Sequence, residues 1–435
     1  MIIYFKKFLF LPVIFFLFFN SYSQDDYFDA KYIRNENFIY KNNIKTVLLY
    51  GAGNPLSMPI IQLHSLDKLM LSFDDLDADV KSYRYTVVHC DAYWNTSTIE
   101  KMEYLDGFYD DEIYENNRSI NTLQPYTNYF LLFPTEYLRI KKSGNYILKV
   151  FVNIESDENV VFTRRFMVYD PKITVAAKVN KTSNLNDRYT KQQVDFSLIT
   201  ENYSIHDPYR DLHLVVRQND RWDNVVTNIE PRRVLPNQLD YSLNEKIVFE
   251  GGNEFRYVDL KTVKYTTDKM ATIDYLPDTY VVYLLADRNN MTREYYSESD
   301  INGKRIIESN QAIYNSSYEA EYAWVHFTLL QPKPLTSGNV YIMGELSGWQ
   351  FSEENKMVYI SNNRTYEVDL YLKQGYYNYC YAFLEDNKQV AEVLYFEGSH
   401  WETENLYTVF VYHREQGLFY DQLIGFSTIS SVATE

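Results

Sequence analysis

LMLSFDDLDADVKSYRYTVV, residues 69–88, contains two short strand-like runs on either side of an acidic turn. In its second run, aromatic and β-branched side chains recur at every other position, the period of a half-buried β-strand. Five further runs of this kind occur in the same block, at residues 46–50, 60–63, 129–133, 146–152 and 160–168. Seven strands at this spacing predict an immunoglobulin-like β-sandwich.

The same pattern continues to the end of the chain, with almost no helical periodicity. Asp170-Pro171 indicates a first boundary, because the residue before a proline favours an extended turn. Further strand-like runs lie at residues 173–179, 194–199, 212–217, 246–249, 255–260, 280–286, 323–329, 340–343, 365–372 and 376–383. The chain is therefore predicted to be all-β, with tandem sandwich domains at residues 24–170, 171–320 and 321–435.

The first residues are typical of a secretory signal peptide. Lys6 and Lys7 precede an apolar run at residues 8–19, and small and polar residues follow at 20–23. The run is shorter than the roughly 20 apolar residues that span a bilayer. We expect residues 1–23 to be removed on export and the mature chain to begin at Gln24, without insertion into the membrane.

Composition limits the partners and suggests the nature of the core. A formal net charge of -17 disfavours nucleic acid and anionic membrane surfaces, which require clustered lysine and arginine. The 43 tyrosines and 26 phenylalanines suit pleated, half-buried surfaces. Cys90 and Cys380 lie in separate apolar runs and are predicted to be buried free thiols, with a disulfide as the alternative.

No recognisable catalytic motif occurs in the sequence. It has no glycine-rich phosphate loop, no His-Glu-x-x-His and no Cys-x-x-Cys, and its seven histidines are scattered singly. We therefore predict no enzyme activity, no metal and no cofactor. A glycosidase remains an alternative, because any two of the 59 acidic residues could lie at the required separation.

Three alternating aspartates, Asp75, Asp77 and Asp79, invite comparison with calcium-binding loops. Val80 stands where such a loop needs glycine, and Thr86 stands where it needs a bidentate glutamate. A solvated hairpin turn is the preferred interpretation.

In the last block, a strand is followed by a Gly-turn-Trp segment and then by an LKQGYY segment at 372–377. In this order the segments resemble early-set immunoglobulin-like modules related to glycogen-binding domains. In such modules a tryptophan in this position can stack on sugar, which makes Trp349 a candidate glycan contact. Packing of Trp349 on the sandwich edge is the alternative, since Phe351 is close by. Gly251-Gly252, which precede Arg256, are interpreted as a structural corner.

Segments in a fixed order along the chain carry a wider resemblance: LSFDDL at 71–76, YTNY at 126–129, SGNY at 143–146, FEGGNEFR at 249–256 and EGSHWETEN at 397–405. In this order they resemble the plug proteins of the Bacteroidetes type IX secretion system. The resemblance implies a periplasmic protein, monomeric within a hetero-complex, that binds the periplasmic opening of the outer-membrane translocon barrel. It would close the pore until cargo or the drive machinery engages.

Residues 94–127 do not alternate cleanly and are predicted to form a long loop excursion from the first sandwich. Exposed aromatics beside charges are typical of an interface core and rim. Trp94, Tyr104, Phe108 and Tyr109 are therefore the candidate partner contacts, with packing onto their own sandwich as the alternative. A carbohydrate-binding protein that uses Trp349 is the alternative function.

Overall fold

The structure, a computed structural model, describes residues 33–432. The predicted signal peptide at 1–23 lies outside the described residues. Strands account for nearly all of the regular structure, which confirms the predicted all-β fold. Within residues 33–432 there are three α-helices of four residues each: α1 Lys101–Tyr104, α2 Ser316–Glu319 and α3 Leu394–Glu397.

The strands follow one another in three groups along the chain. The first group is β1 Phe38–Ile39, β2 Ile44–Gly51, β3 Ile60–Gln62, β4 Leu69–Asp75, β5 Tyr83–Cys90, β6 Leu105–Gly107, β7 Asp110–Glu112, β8 Asn116–Arg118, β9 Thr127–Phe133, β10 Leu138–Ile140, β11 Gly144–Val152 and β12 Val160–Tyr169. The second group is β13 Thr174–Lys181, β14 Lys191–Ile199, β15 Leu212–Gln218, β16 Arg233–Leu235, β17 Gln238–Asp240 and β18 Val248–Glu250. The third group is β19 Arg256–Asp259, β20 Met270–Tyr275, β21 Tyr280–Leu284, β22 Arg305–Ile307, β23 Tyr322–Leu330, β24 Gly338–Met343, β25 Val358–Ile360, β26 Thr365–Lys373, β27 Gly375–Glu385, β28 Leu406–His413 and β29 Gln422–Ser430.

The first unit is a sandwich of two sheets, with strand orders β1-β12-β11-β5-β7 and β2-β4-β9-β8. All seven runs predicted in this block lie on its strands. Alternate residues of β11, such as Tyr146, Leu148 and Val150, point into the core between the two sheets. Ile147 points out of the sandwich and is also buried, so β11 is covered on both faces.

The boundary predicted near residue 320 does not separate the second and third units, because each unit contains strands from both sides of it. The second unit pairs β13-β14-β17-β16 with a sheet β15-β28-β29, so its last two strands come from the end of the chain. The third unit contains β19-β27-β22 and β20-β21-β23-β26-β25, whose strands lie between Arg256 and Glu385. The runs at 255–260 and 280–286 are strands as predicted, but they pair outside the block in which they were placed. Alternation identifies a strand, whereas its partner is chosen by the fold.

An inter-unit core joins the first and second units. It consists of Cys90, Ala92, Trp94, Ile147, Met167, Val215, Phe410, Tyr412 and Leu423. The outer face of β11 and β12 packs here against the outer face of β28 and β29, and the Tyr412 hydroxyl donates to Asn145 Oδ1 at 2.8 Å. Apolar burial and a buried hydrogen bond together hold these two units in one orientation.

The first and third units meet around a buried carboxylate. Asp74 on β4 accepts hydrogen bonds from Lys373 Nζ at 2.5 Å and from the Tyr322 hydroxyl at 2.6 Å, and all three side chains are buried. The Tyr126 hydroxyl donates to the Ala320 carbonyl at 2.8 Å in the same contact. Within residues 33–432, no helix is long and apolar enough to cross a membrane.

Candidate partner-binding surface

The structure separates the four predicted contact residues into two buried and two exposed side chains. Trp94 and Tyr104 are 6% and 3% exposed, whereas Phe108 and Tyr109 are 63% and 47% exposed. The predicted excursion at 94–127 contains α1 and three short strands, β6, β7 and β8. It therefore has its own regular structure and presents only part of its aromatic content to solvent.

Trp94 is a core residue and does not belong to a partner surface. Its ring packs edge-on against Trp222 at 5.1 Å, inside the inter-unit core, and the Arg165 guanidinium lies 4.5 Å from its centroid. Cys90, Ala92 and Trp94 recur at every other position and all face this core. That spacing is the signal in the sequence from which the burial of Trp94 could have been predicted.

Tyr104 closes one edge of the first sandwich. It belongs to the core of the first unit, and its hydroxyl donates to the Val87 carbonyl at 3.4 Å. It follows Glu100 and Glu103, whose side chains cap α1 reciprocally. This short helix turns the chain so that the ring of Tyr104 points inward, which is why Tyr104 cannot serve as a surface anchor.

An exposed aromatic surface remains on the first unit, and it consists of Phe108, Tyr109, Tyr114 and Tyr137. The rings of Phe108 and Tyr137 lie 6.3 Å apart, and the Phe108 amide donates to the Tyr137 carbonyl at 2.7 Å. The charge of Glu136 raises the pKa of Tyr137, with smaller contributions from Asp111 and Tyr114. Apolar rings with acidic neighbours have the composition of a small interface core with a charged rim.

Gly107 allows this surface to form. Its φ of +94° lies in the left-handed region, and a Cβ there would lie 2.2 Å from the Tyr137 carbonyl oxygen. Only glycine therefore lets β6 approach β10 closely enough for Gly107 to pair with Leu138. The close approach brings the rings of Phe108 and Tyr137 together.

Trp349, the candidate glycan contact, is also a packed side chain. It is 8% exposed, and its ring lies 6.0 Å from that of Phe255, in a small core that includes Phe351. A Cβ on Gly303 would lie 2.4 Å from the indole, which shows how closely the backbone covers it. The indole face is therefore not available for stacking on a sugar ring.

The aspartate turn holds a lysine in the position where a metal ion would lie. Asp75, Asp77 and Asp79 each offer an oxygen within 4.8 Å of the others. Lys81 Nζ lies 2.8 Å from Asp75 and 3.4 Å from Asp79, and it also contacts Asp77. Burial opposes ionisation of Asp75, but hydrogen bonds from Lys81 and Asn43 lower its pKa. An internal ammonium group thus compensates the three carboxylates, consistent with a structural turn.

The glycine pair at 251–252 forms a tight junction between the second and third units. A Cβ on Gly251 would lie 2.0 Å from the His400 carbonyl oxygen. Arg256, a few residues on, donates to Glu397 at 3.0 Å and to Asp287 at 3.0 Å. The segment is thus tied to the chain around residue 400 by both close backbone contact and the Arg256–Glu397 ion pair.

Two comparisons with known proteins bear on this architecture. Residues 44–170 match the family model described as "Type 9 secretion system plug protein 1st domain". The chain is 34% identical to a structure described as a hypothetical protein from Parabacteroides merdae, with a TM-score of 0.88 over 92% of this chain and 100% of that one. The chain belongs to the type 9 secretion system plug protein family. The resemblance predicted from ordered segments is thereby confirmed.

Two more distant structures carry no argument about fold or function. The C-terminal domain of the Streptococcus pyogenes antigen I/II-family protein AspA is 8% identical, with a TM-score of 0.16 over 89% of this chain and 99% of that one. The corresponding domain of Streptococcus agalactiae BspA is 7% identical, with a TM-score of 0.14 over 88% of this chain and 99% of that one. No curated protein matches the chain.

Membership of the plug family indicates a role in type IX secretion, a place in the cell envelope and association with a component of that system. Neither the family nor the all-β fold is typical of enzymes. The matched segment, 44–170, contains both the exposed aromatic surface residues and the buried Asp74.

Proposed function

We propose that this plug-family protein is a non-enzymatic periplasmic stopper that binds the periplasmic opening of the type IX outer-membrane translocon barrel. It closes the pore to small solutes and leaves when cargo or the drive machinery engages. The observation that carries the proposal is the match of residues 44–170 to the plug family model.

The way the three units are joined supports this proposal. A stopper must resist deformation, because a hinged chain would open gaps at the pore. The inter-unit core and the Asp74 contact tie the first unit to both of the others. Paired backbone ladders within the sheets add stiffness.

The exposed aromatic surface is the proposed contact with the translocon. Aromatic side chains bury a large area with few rotatable bonds, and a few such anchors dominate most interfaces. A displaceable contact of standard size buries about 1,200–2,000 Å² in total. The four rings would form only the centre of such a contact, which suits a partner that must leave.

A pull-down tests both the partner and the surface. The full-length protein, tagged at its C-terminus, is recovered from its own envelope, and the co-purifying chains are identified by mass. We expect the translocon barrel with the native protein and a loss of at least tenfold with the Phe108→Ser/Tyr137→Ser variant. Phe419→Ser is the matched control, because Phe419 is 76% exposed and lies outside the aromatic surface.

A leakage assay tests the stopper role separately. Cells that lack the protein should admit a small hydrophilic dye across the outer membrane, and native protein should restore exclusion while the double variant should not. Recovery of the barrel without any change in dye entry would contradict the stopper role and leave only an association. Failure to recover the barrel with native protein would contradict the proposed partner.

A further inference from the structure

A cleft of about 930 Å³ is lined mainly by the first and third units and also by Arg217, Asp220 and Trp222 of the second, and its more buried part holds an excess of cationic side chains. Arg164, Arg217, Lys304 and Arg305 line it there, and the carboxylates among them are Asp220 and Glu345. Arg217, 3% exposed, pairs with Asp220 at 2.8 Å, whereas Arg164, 8% exposed, has no carboxylate within 4 Å among the described residues. Charges this deeply buried normally have carboxylate partners, because desolvation of an uncompensated charge is costly.

Two of these arginines converge on a single neutral acceptor. Arg164 Nη2 lies 3.4 Å and Arg305 Nη2 lies 3.0 Å from the same Val47 carbonyl oxygen. The other side-chain hydrogen bonds of Arg164 go to the carbonyls of Thr163 and Phe38. The two guanidinium groups are therefore neighbours that share one uncharged oxygen.

Unused donors accompany this pair. Arg305 Nε and Arg217 Nε are buried and have no hydrogen-bond partner within the described chain. Burial and the nearby charge of Arg305 lower the pKa of Arg164 to about 9. A buried donor without an acceptor needs an explanation, and an anion that is bound in the functional state would supply one.

The backbone at the shared carbonyl is itself strained. β2 bulges between Lys45 and Leu48 where it pairs with β4, and Thr46 within the bulge has a φ of +49°. A β-branched residue in the left-handed region is rare and costs free energy. Such strain is concentrated at binding sites, where the surrounding structure maintains it.

The rim of the cleft has a different character. Trp324 and Tyr371 lie side by side with ring centroids 4.8 Å apart, and Trp324 is 40% exposed. Glu353 and Glu354 lie at the rim with side chains 72% and 69% exposed. Each is paired with a lysine that also lines the cleft, Glu353 with Lys356 at 3.2 Å and Glu354 with Lys45 at 3.0 Å, so the charges of the rim are compensated and its exposed rings are its distinctive feature.

From the paired guanidinium groups we infer that this cleft binds a carboxylate attached to an apolar body, with Arg164 and Arg305 as its anchors. A carboxylate accepts two parallel hydrogen bonds from a guanidinium fork, and the aromatic pair at the rim suits the apolar part. The carboxylate belongs either to a small organic acid or to the C-terminus of a peptide. Because Arg164 is on the first unit and Arg305 on the third, the ligand would bridge the two units.

The test is thermal unfolding of the mature, full-length protein with benzoate as the probe, at constant ionic strength. We expect a saturable rise in Tm of about 2–4 °C with benzoate. An N-acetylated dipeptide with a free C-terminus and the same dipeptide as its amide distinguish the two sources. If Tm rises with the free-acid dipeptide but not with its amide, and rises more than with benzoate, the ligand is a peptide C-terminus. If Tm rises more with benzoate than with the dipeptide acid, the ligand is a small organic acid.

Arg305→Met should abolish the benzoate response; its Tm without ligand is measured alongside, because the substitution also removes the hydrogen bond to the Val47 carbonyl and a positive charge near Glu345. Arg139→Met is the matched control: the Arg139 side chain is 60% exposed and pairs with Asp106 away from the cleft, so the response should persist. If Arg305→Met fails to fold, Arg305→Lys is used instead. Lysine keeps the positive charge but lacks the paired N–H donors of the guanidinium group, so the rise in Tm with benzoate should be at least fivefold weaker. Absence of a benzoate response in the native protein, or its persistence in the folded Arg305 variant, would overturn the inference.

Discussion

Lys373 Nζ lies 2.5 Å from Asp74 Oδ2, and the side chains are 1% and 0% exposed. The two residues are on different units, β26 of the third and β4 of the first. Lys373 also donates to the Ser317 carbonyl at 2.6 Å and lies 4.1 Å from the centre of the Tyr126 ring. Burial lowers the pKa of Lys373, and the charge of Asp74 opposes that shift. Together with the inter-unit core, this contact fixes the matched plug domain to the rest of the molecule.

Replacement of Lys373 by methionine should strongly destabilise the protein. It leaves Asp74 buried without its cation, and loss of one partner of a buried pair costs about 3–5 kcal/mol. Urea unfolding followed by tryptophan fluorescence measures the change. Lys388→Met is the control, because its partner Glu385 and Lys388 itself are largely exposed, and such pairs contribute about 0–1 kcal/mol. Equal effects of the two substitutions would contradict the role assigned to Asp74.

Trp94 and Phe108 should respond in opposite ways to substitution. Trp94→Ala opens a cavity in the inter-unit core and should lower the free energy of unfolding by about 3–5 kcal/mol. Phe108→Ala should change it by no more than about 0.5 kcal/mol, since its ring is in solvent. Chemical denaturation measures stability, and recovery of the translocon measures binding. A stable Trp94→Ala variant that loses only binding would show that Trp94 is a surface contact after all.

Glu254 should make stability fall as the pH rises. Burial raises its pKa to about 7 from the ordinary 4.5, and its Oε2 has no hydrogen-bond partner within the described residues. Between these values the folded state binds more protons than the unfolded state, so the stability contributed by protonated Glu254 is lost as the pH rises towards 7 and beyond. Glu254→Gln should therefore raise Tm at pH 8 and have little effect at pH 4.5.

Glu201→Gln is the matched control for that experiment, because it makes the same carboxylate-to-amide change at an exposed position. The Tyr295 hydroxyl donates to Glu254 Oε1 at 2.6 Å, a bond that glutamine can retain. A Glu254→Gln variant whose Tm differs from the native value equally at both pH values would rule out titration of this carboxyl group.

The two glycines between the second and third units should differ in how much stability is lost when each is replaced by alanine. Gly251→Ala places a methyl group against the His400 carbonyl oxygen and should cost at least about 1–3 kcal/mol, as overpacking does. Gly252→Ala has open space around its Cβ, but its φ is +64°, so about 1 kcal/mol is expected. Differential scanning calorimetry compares the two variants. A larger loss for Gly252→Ala would mean that backbone conformation, and not close approach, governs this corner.

Local sequence patterns were sufficient to predict many of the strands of this protein and the burial of its cysteines. Alternation at residues 69–88 predicted β4 and β5, and the same rule predicted β2, β3, β9, β11 and β12, whereas the short strands β1, β6, β7, β8 and β10 were not predicted. The separate apolar runs around Cys90 and Cys380 predicted two buried cysteines, and both are buried and free. Ordered segments such as FEGGNEFR at 249–256 identified the family. The strands and the buried cysteines could be predicted because each depends on neighbours within a few residues along the chain, and the family because the order of such segments can be read along the sequence.

Only the tertiary structure decided which strands share a sheet and which aromatic rings are hidden. β28 pairs with β15 across nearly 200 residues, and the resulting sheet covers Trp94, so its burial depends on a segment at the other end of the chain. The cleft has the same origin, because Arg164 and Arg305 meet at Val47 only after the first and third units pack together. Hydrophobic burial is non-directional and favours any apolar partner of suitable shape, so the identity of the partner follows from the whole fold and not from the local sequence.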